Sequence, residues 1–235
     1  MKNVFVNTQN VKNFIGAMKE AEKATKEPVL LVFHGQAGRG KTETARYFAA
    51  QEGWTYCRAL KGWKSELWML QDLCFEMGID PIPSRKKIAF DAIKETLRRN
   101  PRPVLLDDTD KMSETLLEWV RDLADVTFVP FALIGEKLIM HKMQKERRIW
   151  SRTLRSVSFE PISPTDIMYF AKQASDIALT AQQADILRNS SDGDFRLVKR
   201  DIRKLEEIWA ANRGDSNRIS DEMVKTAIKM GLRGE

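Results

Sequence analysis

The sequence predicts an α/β fold of three layers, with a parallel five-stranded sheet between helices, followed by a small all-helical domain. Three observations predict it. Short apolar strands alternate with helical segments up to about residue 160, the pattern of a parallel sheet covered on both faces. The first of those strands, residues 29–33 (VLLVF), runs directly into GQAGRGKT at 35–42. That is Gly-x-x-x-x-Gly-Lys-Thr entered from a buried strand, the phosphate-binding P-loop. From Ser163 onward the strand signals vanish and only helical patterns remain.

Taken in order, residues 8–26 carry Val11, Phe14, Ile15 and Met18 at helical spacing and predict an amphipathic first helix, ended by Pro28. After the strand at 29–33, a helix over 41–51 continues from the P-loop, and Gly53 admits a short strand at 54–59. Helices over 65–77 and 86–99 follow, separated by Gly78 and the Pro81-x-Pro83 segment. An apolar strand at 104–108 ends in two carboxylates, Asp107 and Asp108. A helix over 113–124 leads to a strand at 127–134 stopped by Gly135, and a last strand at 156–159 precedes Glu160-Pro161. The tail opens with Ser163-Pro164-Thr165-Asp166, a serine cap with Pro in the first turn. Thr180 and Gln183 have capping-box spacing, and Ser220 starts a last helix. The expected organisation is therefore a P-loop domain over 1–162, beginning with the helix 8–26, and a helical lid domain over 163–235.

Composition narrows the class. With 235 residues, 43% hydrophobic and 31% charged, the chain can bury a core and falls outside the disordered range. No apolar run approaches the roughly 18–20 residues that span a bilayer, and the N-terminus has no apolar signal-peptide region. Two cysteines and two histidines, without metal-ligand spacing, point away from disulfide and zinc frameworks and toward a reducing cytoplasm. The net charge of +6 is compatible with a polyanionic partner. Basic residues concentrate at 142–155 and 196–204, which read equally as solvated helix faces.

The P-loop assigns chemistry residue by residue. Gly35, Gln36, Ala37, Gly38, Arg39 and Gly40 form the loop whose backbone N–H groups cradle phosphate oxygens. Lys41 places an ammonium against the β- and γ-phosphates, and Thr42 offers a hydroxyl to Mg²⁺. The helix that begins there points its positive dipole end at the same anion, and Thr44 on its first turn completes the expected nucleotide contacts. Asp107, delivered by an apolar strand beside the P-loop, is the expected Walker B carboxylate, holding Mg²⁺ through its waters. Asp108 occupies the position of the water-polarising acid with a shorter side chain than the usual Glu. Two readings stay open: a working base, or slow hydrolysis suited to a timer. Asp110 ranks below it. At the strand end, FALIGE, Gly135 and Glu136 stand where a polar residue senses the γ-phosphate in many P-loop ATPases, and Glu136 reads equally as a helix cap. Arg152 is the expected trans-acting arginine, with Arg147, Arg148 and Arg155 close in sequence. Arg196, in Gly193-Asp194-Phe195-Arg196, opens a lid helix where a guanidinium can fold back over the nucleotide.

In combination, GQAGRGKT, the segment at 54–78, LLDD, FALIGE and RRIWSRTLRSVSFEPI resemble the AAA+ ATPases of the DNA-transposition group, typified by the Mu phage B proteins. The resemblance spans nearly the whole chain. It implies ATP and Mg²⁺ as cofactors, ATPase activity, and sequence-tolerant binding of duplex DNA as a helical homo-oligomer that presents target DNA to a transposase and stimulates it. The group carries an N-terminal helix-turn-helix region, which the few residues ahead of the helix at 8–26 are not expected to supply, so the resemblance does not extend to the function of that region. In the group the duplex runs through the filament's central channel. Lys61 and Lys64, flanking Gly62-Trp63, and Arg85-Lys86-Lys87 are the expected phosphate contacts. Trp63 is expected to pack against the protein. The alternative function is an ATP-switched adaptor of the helicase-loader or secretion-ATPase kind, without DNA affinity of its own. A small-molecule kinase needs neither the trans-acting arginine nor the helical lid.

Overall fold

The computed structural model describes residues 1–24, 27–212 and 219–233. The end of the expected first helix (25–26) and residues 213–218 and 234–235 of the expected lid lie outside the described residues. The chain divides into two compact units. One consists of Met1–Asn10, Ala37–Gly40 and Glu160–Glu235, the other of Val11–Gln36 and Lys41–Phe159.

The second unit is the sheet. Its elements run α1 (Gln9–Lys23), β1 (Leu30–His34), α2 (Lys41–Glu52), β2 (Thr55–Arg58), α3 (Glu66–Glu76), α4 (Lys86–Arg99), β3 (Val104–Asp107), a 3-10 turn (Thr109–Lys111), α5 (Glu114–Thr127), β4 (Phe131–Gly135), α6 (Lys137–Lys145), α7 (Arg147–Trp150) and β5 (Thr153–Ser158). The strands form one sheet in the order β2-β3-β4-β1-β5, and every pairing is parallel. The expected three-layer α/β fold with five parallel strands is thus what the chain adopts. The register places His34 beside Gly135 and Arg58 beside Asp107, so the functional ends of β1, β2, β3 and β4 lie along one edge.

Each face of the sheet buries its own apolar layer. On one face α1 and α2 cover β1, β3 and β4 through Phe14, Ala17, Met18, Ala45 and Ala49. The Phe14 and Phe33 ring centroids lie 4.3 Å apart, and both rings are fully buried. Burying one such side chain contributes roughly 1.5–3 kcal/mol, so α1 is held by its apolar stripe more than by helix propensity. On the other face α3, α4 and α5 pack Met69, Leu70, Leu73, Ile93, Leu97, Leu117, Val120 and Leu123 against Val32, Leu106 and Leu133.

Two strand boundaries differ from expectation by three residues or more, each for a local reason, and the others by one at most. Residues 127–130 do not join β4. α5 runs on to Thr127, whose Oγ1 donates to Leu123 O at 2.6 Å, and Phe128 ends it in the left-handed region at φ 58°. Pro130, which has no backbone donor, then precedes the strand, and Phe131 begins it. β5 begins earlier than residue 156, at Thr153, which pairs with Leu30; as an edge strand with Val157 as its one buried residue it offers no alternation to read.

The other unit has a separate core built from α8 (Pro164–Ser175), α9 (Ala181–Ser190), α10 (Phe195–Ala211) and α11 (Asp221–Arg233). Ser163 Oγ accepts from Asp166 N, and Thr180 and Gln183 form the reciprocal capping box that their spacing implies. Buried Gln183 also donates to Ile219 O and Asp221 Oδ1, both at 3.0 Å, which ties the start of α9 to the start of α11. Phe170 and Phe195 meet edge to face at 4.8 Å.

Candidate nucleotide-binding site

β1 delivers the loop and Gly35 begins it. Gly35 has φ 151°, and a Cβ there would sit 2.6 Å from Phe159 O, just where Phe159 N donates to His34 O at 2.7 Å. Only glycine lets β1 and the end of β5 meet this closely. Gly35→Ala should therefore destabilise the sheet by about 1–3 kcal/mol, read as a lower midpoint in urea denaturation. An unchanged midpoint would mean that the end of β5 moves aside freely.

Lys41 is the first residue of α2 and is only 9% exposed. Its Nζ donates to Gly35 O and Gln36 O, each at 2.8 Å, so the ammonium lies against the loop's own carbonyls. Burial pulls its pKa below the ordinary lysine value, against the surrounding carboxylates of Glu136, Asp107, Asp110 and Asp108. A buried cation is costly unless an anion accompanies it, and a phosphate at this loop would do so. Thr42, half-buried, and Thr44, buried, follow on the first turn of α2.

The tip of the loop, Ala37–Gly40, belongs to the helical unit. Gly38 has φ 76°, and a Cβ there would overlap the Asp194 carboxylate at 2.0 Å. Phe195 N donates to Gly38 O at 2.9 Å. The Arg39 guanidinium, 8% exposed, donates to Asp192 O and pairs with the Asp192 carboxylate. Arg196 opens α10 and pairs with Asp194, Nη2 to Oδ2 at 2.9 Å, while Asp194 Oδ1 caps the helix by accepting from Arg196 N. The guanidinium expected to read the nucleotide is thus held by the acid two residues before it.

Asp107 ends β3 and is 1% exposed. Tyr56 Oη donates to its Oδ2 at 2.9 Å and Asp108 N to its Oδ1 at 2.9 Å. Burial and the facing carboxylate push the Tyr56 phenol up, so it remains a donor. Each carboxylate oxygen keeps a second lone pair, which suits a group that holds a hydrated cation through water. Among the described residues no group of three or more His, Cys, Asp or Glu could cage a metal. A cation here would take few protein ligands, Thr42 and Asp107 foremost, and keep most of its waters, which fits magnesium.

Asp108 departs from β3 at φ 57°, so the strand stops one residue before the end expected from sequence. Its Oδ2 accepts from Arg58 Nε and Lys111 Nζ, both at 2.7 Å. Burial alone would raise this carboxyl; the hydrogen bonds from Lys111 and Arg58 outweigh it and hold the pKa below the ordinary value. The absence of a polar side chain at Gly135 also has a cause. A Cβ there would lie 2.9 Å from Asp110 Oδ1, which accepts from Glu136 N at 3.2 Å. Thr109 Oγ1 donates to Ile134 O at 3.0 Å, and Lys142 Nζ donates to Asp110 O and Met112 O. The turn at 109–111 is therefore pinned to the end of β4. Glu136 precedes α6 without a side-chain cap bond.

Arg152 lies elsewhere. Leu30 N donates to Arg152 O at 2.8 Å, so this arginine sits at the start of β1, the opposite end from the P-loop. Four strand residues separate it from His34, roughly 13 Å at about 3.3 Å per residue. Its fork binds Asp125 bidentately at 3.0 and 3.1 Å. Arg155 pairs with Glu20. Of the residues expected to meet DNA, Lys61 and Lys64 are exposed in the turn between β2 and α3, and Arg85 is exposed ahead of α4. Lys86 pairs with Glu66, and Lys87 with Asp91. Trp63 is 7% exposed and its indole donates to Asp72 at 2.5 Å. Sequence reasoning missed Tyr56 and Arg58, because only strand pairing sets them beside Asp107 and Asp108.

Known proteins share this fold. A family model described as an AAA domain matches residues 24–143. The ATP-dependent target DNA activator B of Escherichia phage Mu is 24% identical over 96% of this chain and 72% of its own length. Among solved structures, the ORC2 protein of Aeropyrum pernix in its ADPNP–ADP complexes superposes with a TM-score of 0.68 at 15% identity, over 99% of this chain and 69% of that one. The RuvB Holliday junction branch migration motor of Thermotoga maritima gives 0.60 at 17% identity, over 96% and 70%.

Proposed function

The chain belongs to the AAA domain family, and from that premise we propose that it is a sequence-nonspecific, DNA-binding ATPase that assembles on duplex DNA as a helical oligomer and delivers target DNA to a transposase or activates it. The observation that carries this reading is the likeness to the phage Mu target DNA activator along 96% of the chain. It is supported by a P-loop lysine buried among carboxylates.

On this reading residues 1–162 form the ATPase domain and 163–235 its lid. Lys41 exchanges its bonds to Gly35 O and Gln36 O for phosphate oxygens. Thr42 and Asp107 would hold a hydrated magnesium ion, which would supply charge neutralisation for the bound triphosphate. Asp108 orients the attacking water once its carboxylate turns from Arg58 and Lys111. Arg196 leaves Asp194 for the nucleotide, and Arg152 serves a neighbouring subunit. Exposed Lys61, Lys64 and Arg85, with Lys86 and Lys87, contact DNA phosphates, so affinity falls steeply with salt and is indifferent to sequence. No helix among the described residues is long and apolar enough to cross a membrane, and a cytoplasmic site of action is part of the proposal.

Electron microscopy of the protein with plasmid DNA and a non-hydrolysable ATP analogue tests the proposal. Continuous nucleotide-dependent filaments are expected. A protein that stays monomeric and does not retard DNA, while still binding ATP, would replace this reading with the ATP-switched adaptor.

A further inference from the structure

Strand β2 supplies side-chain partners to both acids at the end of β3. Its register with β3 sets Tyr56 beside Leu105 and Arg58 beside Asp107. Tyr56 and Arg58 are two apart and so project from the same face of the sheet. From that face the half-buried phenol reaches up the sheet to Asp107 Oδ2 at 2.9 Å. The ring is fixed on its other side as well. The Arg46 guanidinium carbon, from α2, lies 5.7 Å from the ring centroid. The strand beneath is tied at both ends, by Thr55 N to Pro103 O at 3.0 Å and Ala59 N to Asp107 O at 2.8 Å.

We propose that Tyr56 is a positioning residue for the magnesium–nucleotide complex: its hydroxyl fixes the rotation of the Asp107 carboxylate, so that the free lone pairs of that carboxylate face the hydrated cation. The proposal rests on the reading of Asp107 as the magnesium-holding acid. The backbone donor from Asp108 N restrains the carboxylate at one oxygen only and leaves the planar group some play about χ2, which for Asp is a broad torsion. A donor on the second oxygen removes that freedom. Partners of this kind, one shell out from the metal, change metal affinity by roughly 10–100-fold when removed. A side chain that only satisfied a buried acid would affect stability and leave the metal dependence alone.

Tyr56→Phe keeps the ring under Arg46 and deletes only the hydroxyl. Binding of a fluorescent ATP analogue is measured in EDTA and across a magnesium titration, beside a thermal melt. The magnesium concentration at half-effect should rise roughly tenfold, with affinity in EDTA unchanged. A half-point within about twofold of the unaltered protein would overturn the proposal, even if the melting temperature fell. Arg46→Gln is the control: it removes the cation and keeps the hydroxyl, so a shift as large as that of Tyr56→Phe would also overturn it. Magnesium-independent binding in the unaltered protein would instead remove the metal reading beneath it, and the proposal with it.

Discussion

Lys41→Ala is expected to abolish nucleotide binding and, with it, ATP-stimulated assembly on DNA. Lys41 is nine-tenths buried, and the two protein partners of its ammonium are carbonyls that a phosphate can replace. Charge-assisted hydrogen bonds contribute about 1.5–3 kcal/mol each, so losing two of them weakens ATP binding by on the order of a hundredfold or more. The loss is compounded by Glu136, Asp107, Asp110 and Asp108, whose carboxylates would face the triphosphate without the intervening cation. Equilibrium binding of labelled ATP measures the first effect and sedimentation with duplex DNA the second. The fold should survive, because Lys41 belongs to neither apolar layer of the sheet. ATP-dependent assembly retained by this variant would sink the assignment of the P-loop as the switch.

Asp108→Asn should separate hydrolysis from assembly. The substitution preserves size and removes the charge, so Arg58 and Lys111 lose their shared acceptor while Asp107 keeps both of its donors. A positioned general base contributes roughly 10²–10⁴-fold, and turnover measured as phosphate release should fall by at least the lower figure. Filaments on DNA should persist, and outlast those of the unaltered protein, because the bound triphosphate is retained. The carboxyl's depressed pKa means that Asp108 is ionised through the neutral range, so the difference between the proteins should not depend on pH there. Unchanged phosphate release would show that another group orients the water. Asp110 and Glu136, both at the end of β4, are the carboxylates placed to do it.

The parts of the site that were legible in the sequence are those whose physical demands are local. GQAGRGKT fixes its backbone through its own glycines, and an apolar strand ending in Asp107-Asp108 needs no distant partner to be recognised. The helix caps at Ser163 and Thr180 are likewise set within four residues. What stayed hidden depends on register. Tyr56 and Arg58 lie about fifty residues before the acids they contact, and no periodicity within a four-residue strand reveals which carboxylate each meets. Arg152 meets Asp125 of α5 through packing that its own sequence neighbourhood does not set. Gly135 looks like a missing polar residue until the Asp110 carboxylate is seen to fill that volume.

β2 is four residues long and lies at the margin of the sheet, with a strand on one side only. It is therefore the least braced strand that touches the acid pair, and it leads directly into the turn carrying Lys61 and Lys64. A slide of about half an ångström along the strand, a fraction of its roughly 3.3 Å rise per residue, is enough to take a 2.9 Å contact out of good hydrogen-bond range. The two acids thus lie one strand away from that turn, and the hydrogen bonds of Tyr56 and Arg58 are what joins them to it.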